Sequence, residues 1–231
     1  MRASEVFLRM LYPRRCLLCG QRMDIREDLS WCGRCRAEEF LPEGPRCPIC
    51  SRPAERAGAR CFGCREHDNR TAGRSTFLYQ GAMRESIQKF KYAGMRDYAR
   101  VYAAWMVQYD REWLEEQDRA VLVPVPVHPR RLRERGYNQA AELAHALGDK
   151  TGLPVWEGLA RIKNTAPLKQ QSAGSRRASL HGAFALTGEI PTGKILIVDD
   201  IYTSGSTVEE CARLFREKGS DTGFWTISIR P

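Results

Sequence analysis

The sequence predicts an α/β protein, a parallel sheet flanked by helices, with a small cysteine-rich metal module at its N-terminal end. Two observations carry the prediction. The composition changes near residue 70, and beyond it apolar strand-like runs alternate with amphipathic helical patterns. Such alternation implies parallel strands joined by crossover helices. The expected organisation is a metal module over residues 1–70 and an α/β domain over residues 71–231.

Residues 1–70 contain no lysine, several Pro and Gly, and eight of the nine cysteines. Their hydrophobic periodicity is too weak for a large core of their own. The cysteines form four CxxC pairs: Cys16 and Cys19, Cys32 and Cys35, Cys47 and Cys50, Cys61 and Cys64. A two-residue spacer lets both sulfurs of a pair reach one metal at the tip of a tight turn. A second pair completes a tetrahedron of thiolates about 2.3 Å from zinc. Two structural zinc ions are therefore expected. A disulfide framework fits poorly with a chain lacking a secretion signal, and iron–sulfur ligation is a minor alternative. Sequential pairing gives two zinc ribbons, and interleaved pairing gives a cross-brace. Sequential pairing is preferred because each loop of ~10–12 residues closes locally at low entropic cost. Cys211 stands alone in a helical pattern and reads as a small core residue.

In the α/β domain, Phe77 to Tyr79 is a strand candidate, and Glu85 to Tyr92 and Asp97 to Tyr109 have helical periodicity. Val121 to Val125 reads as a buried strand ending in a Pro-rich turn. Asn138 to Leu147 forms a helical face that is expected to stop before Gly148, with Asn138 a plausible N-cap. Ile195 to Val198 is fully apolar, the next helix spans Thr207 to Glu217, and Phe224 to Ile229 is the last strand. The polar stretch Lys163 to His181 reads as a long functional loop.

The most informative segment is ILIVDDIYTSGSTVEECARLF, Ile195 to Phe215. An apolar strand ends in Asp199 and Asp200, and a loop of small residues then enters a helix. Thr203, Ser204, Gly205, Ser206 and Thr207 would offer backbone N–H groups and hydroxyls at a helix N-terminus, an arrangement suited to a phosphate dianion. Gly205 permits close backbone approach. The two carboxylates, a short distance behind, can accept hydrogen bonds from ribose hydroxyls.

VDDIYTSGST resembles the PRPP-binding motif of type I phosphoribosyltransferases. VPVPVHPRRLRERGYNQAAELA, Val123 to Ala144, resembles the signature of the ComF/GntX family of competence-associated proteins of the ComFC type. LYPRRCLLCG and IQKFKYAG fit the same family, and the resemblance spans nearly the whole chain. It implies a double zinc ribbon followed by a type I phosphoribosyltransferase-like domain. It assigns Asp199 and Asp200 to the ribose as the catalytic acids, and Thr203 to Thr207 to the 5-phosphate. Pro126, Val127, His128, Arg130 and Arg131 would lie where pyrophosphate and Mg²⁺ bind, with Arg133 and Arg135 adding positive charge. Lys91 faces the same cleft or is a surface lysine. Arg161 to Phe184 corresponds to the family's mobile loop. Arg176 is retained there, but Leu168 replaces a Gln three residues after Thr165, and Ser179 replaces an Asn.

No apolar run reaches the ~20 residues of a membrane helix, and no secretory leader is visible. The protein is therefore read as cytoplasmic. Its formal charge of +9 falls to about +5 once two tetrathiolate zinc sites form, so local basic clusters matter more than net charge. Two functions compete. One is a phosphoribosyltransferase-like protein that binds PRPP or another ribose 5-phosphate ligand and handles single-stranded DNA, with other DNA-uptake proteins, during natural transformation. The other is an active Mg²⁺-dependent transferase in nucleotide salvage. Single-strand binders usually add stacking aromatics to a basic groove; Tyr137, Tyr202 and His128 are the candidates, with a core position an equal reading of Tyr137.

Overall fold

A computed structural model describes residues 15–23, 31–32, 34–163 and 178–231. The central sheet contains β1 (Gly73–Leu78), β2 (Val121–Pro124), β5 (Ile195–Tyr202) and β6 (Thr222–Ile229). Its order is β1-β6-β5-β2, and every pairing is parallel. Two short strands, β3 (Leu159–Arg161) and β4 (Phe184–Leu186), form a separate antiparallel pair. The expected α/β class, with helices flanking a parallel sheet, is the observed one.

Helices α2 (Gly81–Tyr92), α3 (Tyr98–Tyr109) and α4 (Arg111–Glu115) connect β1 to β2, after the short α1 (Phe62–Glu66). Helices α5 (Pro129–Arg135) and α6 (Gln139–Thr151) follow β2, and α7 (Ser206–Arg216) joins β5 to β6. Asn138 caps α6: its Oδ1 accepts the Ala140 N–H at 3.2 Å. This helix passes through Gly148 and ends at Gly152, which takes the left-handed conformation (φ 76°). A side chain at Gly148 would approach the Leu153 carbonyl to 3.0 Å. That glycine therefore serves close packing inside the helix rather than ending it.

Strand alternation sends β5 side chains into two cores. Leu196 and Val198 join Leu143, Leu147, Tyr102 and Trp105 on one face. Ile195 and Ile197 join Cys211, Phe215 and Phe224 on the other. Cys211 is fully buried, as its helical position predicted. Helix α6 thus covers the first face and α7 the second, although they follow neighbouring strands. Where flanking helices diverge in this way, a crevice opens beyond the carboxyl ends of the strands. The strand order points to the segments that follow the neighbouring strands β2 and β5 as such a place.

The cysteine-rich region shares both cores. Leu17, Leu18 and Met23 pack with α2 and α3, and Trp31 meets Trp105 at 4.9 Å between ring centroids. Ile49 and the later cysteines pack with Tyr202 and Phe224. The weak periodicity of this region is thereby explained: its apolar residues complete cores supplied by the larger domain.

Candidate phosphate site and metal centres

The cysteine turns repeat one geometry. The Cys16 N–H donates to the Gln21 carbonyl and the Cys47 N–H to the Arg52 carbonyl, both at 2.8 Å. Each turn is closed by an antiparallel bridge, Arg15 with Arg22 and Arg46 with Pro53. Gly20 and Ser51 occupy equivalent left-handed positions, with φ 73° and 64°. Four Sγ atoms, from Cys16, Cys19, Cys32 and Cys35, lie within 4.8 Å of one another, and so do those of Cys47, Cys50, Cys61 and Cys64. The pairing is sequential, as the short loops favoured. Sulfur separations of 3.7 Å (Cys19 and Cys32) and 3.6 Å (Cys50 and Cys61) far exceed the ~2.05 Å of a disulfide. They match the edge of a tetrahedron about 2.3 Å from a central zinc. The sets differ in access: Cys19 is exposed in the first, whereas the second is wholly buried.

The phosphate-loop segment leaves β5 at Tyr202 and enters α7 at Ser206. Gly205 occupies the N-cap in the left-handed region (φ 82°), and no side chain caps the helix. The first-turn amides are thus not taken by a capping oxygen. The Ser204 and Ser206 hydroxyls are 2.9 Å apart, and Thr203, Ser204 and Thr207 are half-buried.

Asp199 and Asp200 stand in the last part of β5, so their side chains point to opposite faces. Asp200 is buried and pairs with Lys91 Nζ at 2.9 Å. Burial opposes the charge on Lys91, but Asp200 and, more distantly, Asp199 outweigh it and raise its pKa. Asp199 accepts the Asp200 N–H at 2.8 Å. Burial and then the charge of Asp200 raise its pKa to about 7, against the opposing influence of Lys91, that N–H and Arg161. Arg161 in β3 lies over the Phe184 ring at 5.4 Å. Burial and the charge of Arg131 lower its pKa. Lys91 is therefore not a free surface lysine but the ion-pair partner of Asp200. Its signal was in the sequence: it follows Ile87 by four residues on the apolar stripe of α2.

Other expectations are corrected. The arginines after β2 stand on a helix, because Pro129 at its first turn and Gly136 in the left-handed C-cap frame α5. They radiate around that helix instead of lining a loop. His128 caps it, Nδ1 accepting the Arg130 N–H at 3.2 Å. Pro126, Val127 and His128 are half-buried in the β2–α5 turn. Arg130 pairs with Glu134 at 3.1 Å, and Arg135 donates to Gln139 and the Tyr92 hydroxyl. Of this group, Arg131 has its charge felt at Arg161. Tyr137 is buried and donates to the Phe90 carbonyl. Tyr202 is buried and stacked on Phe224 at 4.7 Å. Neither can stack on a nucleic acid base. Arg176, Thr165 and Leu168 lie outside the described residues.

The fold and its two tetrathiolate sets define an α/β protein with an N-terminal double zinc-ribbon module. Residues 7–65 match the family described as double zinc ribbon domain. Homologues extend along most of the chain. It is 27% identical over 225 residues to competence protein ComFC of Bacillus subtilis, covering 88% of this chain and 89% of the relative. It is 27% identical to competence protein F of Haemophilus influenzae, covering 89% and 92%. With the DNA utilization protein YhgH of Salmonella typhimurium it shares 29% identity, covering 83% and 92%. The family resemblance read from the sequence is thus matched by homologues of those names. No helix among the described residues is long and apolar enough to cross a membrane.

Proposed function

We propose that the chain binds PRPP, or a related ribose 5-phosphate ligand, and acts in DNA uptake on incoming single strands in the cytoplasm. Residues 1–70 would form the zinc module and 71–231 the ligand-binding domain. The carrying observation is the loop Thr203 to Thr207, which enters α7 without a side-chain cap, directly after the Asp199–Asp200 pair at the end of β5. The 5-phosphate would take the α7 N-terminus. The ribose hydroxyls would donate to the carboxylates, and Arg131 and Arg161 would face the pyrophosphate. Outside the thiolate sets, no group of three or more His, Cys, Asp or Glu among the described residues is gathered to hold a metal. Mg²⁺ would enter with the pyrophosphate, its oxygens and water filling most of the coordination sphere. The DNA-uptake role rests on the competence and DNA-utilization names of the homologues.

Isothermal titration with PRPP and Mg²⁺ tests the site. The Asp199→Ala, Asp200→Ala double variant should bind more weakly by about 1–3 kcal/mol, with its thermal transition retained. Equal affinity in parent and variant would refute the assignment. Pyrophosphate release in the presence of a panel of bases would establish the active salvage transferase instead. For the DNA role, single-strand affinity should fall with salt at a slope of about −0.7 per phosphate contacted. Replacing Arg130, Arg131, Arg133 and Arg135 by Ala should flatten that slope. A deletion strain that transforms at the parental frequency would remove the uptake role.

A further inference from the structure

Two side chains from the cysteine-rich region hold the phosphate loop, and each also approaches a sulfur of the second thiolate set. Arg52 follows Cys50 by two residues. Its Nη2 donates to the Thr203 carbonyl at 3.0 Å and its Nε to the Arg230 carbonyl at 2.8 Å, while Nη1 lies 3.8 Å from Cys61 Sγ. Asn69 is 1% exposed. Its Nδ2 donates to the Ser204 carbonyl at 2.9 Å and the Tyr202 hydroxyl at 3.0 Å, and lies 3.9 Å from Cys64 Sγ.

These contacts aim the loop. A trans peptide holds its C=O and N–H on opposite sides. With the Thr203 and Ser204 carbonyls turned toward Arg52 and Asn69, the Ser204 and Gly205 N–H groups point away from the ribbon. Those two amides belong to the proposed phosphate cradle. Gly205 also packs closely here: a Cβ on it would come within 2.6 Å of Asn69 Nδ2. Two further N–H groups, of Arg70 and Thr71, donate to Glu209 of α7 at 2.8 and 2.7 Å.

Arg52 and Asn69 are in turn fixed by the ribbon. The Arg52 carbonyl accepts the Cys47 N–H, and the Asn69 N–H donates to the Cys64 carbonyl at 3.3 Å. The first thiolate set makes no such link among the described residues; its apolar neighbours pack with α2 and α3. Four thiolates converging without a metal repel, and small metal modules of this kind hold their shape through the ion.

We infer that Arg52 and Asn69 are positioning residues for the phosphate loop, and that through them ribosyl phosphate affinity depends on zinc in the second ribbon and not on zinc in the first. The inference rests on the ligand class proposed above. Linkage makes the dependence reciprocal: a ligand that binds better with zinc in place must also retain that zinc.

The test uses the full chain loaded with two zinc ions and a colorimetric chelator. The exposed first set should release its metal first, an order confirmed when Cys19→Ser removes that phase. PRPP affinity, measured by titration with Mg²⁺, should be unchanged after the first release and roughly tenfold weaker after the second. PRPP should slow the second release but not the first. Asn69→Ala, still carrying two zinc ions, should weaken PRPP roughly tenfold and abolish that slowing. Arg52→Lys keeps the charge but loses the fork, and should fall between parent and Arg52→Ala. Undiminished affinity after the second release, or equal slowing in parent and Asn69→Ala, would overturn the inference. If the two-zinc parent does not bind PRPP, the ligand reading fails and hydrogen exchange decides the coupling. Faster exchange at residues 203–207 on loss of the second zinc alone supports it, and unchanged exchange overturns it.

Discussion

Replacing Gly205 by Ala tests the junction of ribbon and phosphate loop with a single methyl group. Two costs are separable. The first is conformational, because Gly205 has φ +82°, where an L-residue loses about 1–2 kcal/mol. The second is steric. The new Cβ would stand 2.2 Å from the Tyr202 hydroxyl oxygen and 2.6 Å from Asn69 Nδ2. Tyr202 cannot yield easily, since it is buried against Phe224, and Asn69 is pinned by the Ser204 carbonyl. Overpacking of this kind costs about 1–3 kcal/mol. Gly219 supplies the control: its φ is +83°, and a methyl group added there would meet nothing within 4 Å. Gly219→Ala should lose only the conformational part, about 1–2 kcal/mol. Gly205→Ala should lose about 2–5 kcal/mol in all. At about 2–4 °C per kcal/mol for a chain of this size, calorimetry on zinc-loaded protein resolves the two. Gly205→Ala should also weaken PRPP binding, and Gly219→Ala should not. Equal losses of stability in the two variants would show that the Tyr202–Asn69 contact exerts no constraint, and would refute the packing argument.

Asp199 has a folded pKa raised to about 7 by burial and by Asp200, above the usual carboxylate value of about 3.9. Its contribution to stability is present below about pH 4 and lost as pH rises through about 7, so Asp199→Asn should be more stable than the parent at pH 8, with the gap closing at pH 4, as read by denaturant titration. Asp110 is 1% exposed and accepts from Arg74 Nε, Thr76 Oγ1 and Trp225 Nε1 at 2.8, 2.6 and 2.9 Å. Asp110→Ala strands all three donors and should cost about 3–5 kcal/mol, seen as a lowered denaturation midpoint. Purified reduced protein should carry two zinc ions per chain by elemental analysis, and a ratio of one would refute the double tetrathiolate assignment.

The parts legible in the sequence were those whose information is local. Two-residue spacers between cysteines specify a turn, so the eight ligands could be assigned from spacing, while the similar gaps between turns only favoured sequential over interleaved pairing. The run Ile195 to Val198 announces a buried strand, and Gly205 with its hydroxyl neighbours announces the loop. What stayed hidden depends on partners far along the chain. Asn69 and Arg52 reach Ser204 and Thr203 across 135 and 151 residues, and nothing around either residue marks such a contact. The arginines of α5 escape sequence reading for a different reason. Their charge density looks like a solvated loop, whereas the pair that decides the local structure, Pro129 at the start and Gly136 at the end, frames a helix of under two turns. Tyr137 and Tyr202 are equally ambiguous, because an aromatic residue beside a loop reads the same whether it faces solvent or core.

The adjacent acids show what strand geometry adds to a motif. In the sequence Asp199 and Asp200 form one unit, but alternation assigns them to different halves of the molecule. Asp200 faces the core built from α2, α3 and the first ribbon, and is held there by Lys91. Asp199 faces the core built from α7 and the second ribbon, where Arg161 and Cys211 are its neighbours. Each carboxylate is therefore packed among a separate set of elements, although the Asp200 and Lys91 charges are also felt at Asp199. Lys91 pairs with Asp200 at 2.9 Å, while burial and the Asp200 charge raise the pKa of Asp199 to about 7. Among the described residues, the loop that follows is held from the second half, through Arg52 and Asn69. A change in the second ribbon should reach the site through the loop, whereas Asp200 is held by Lys91 of α2, outside the first ribbon. One short strand end thus collects both halves of the protein at a single cleft.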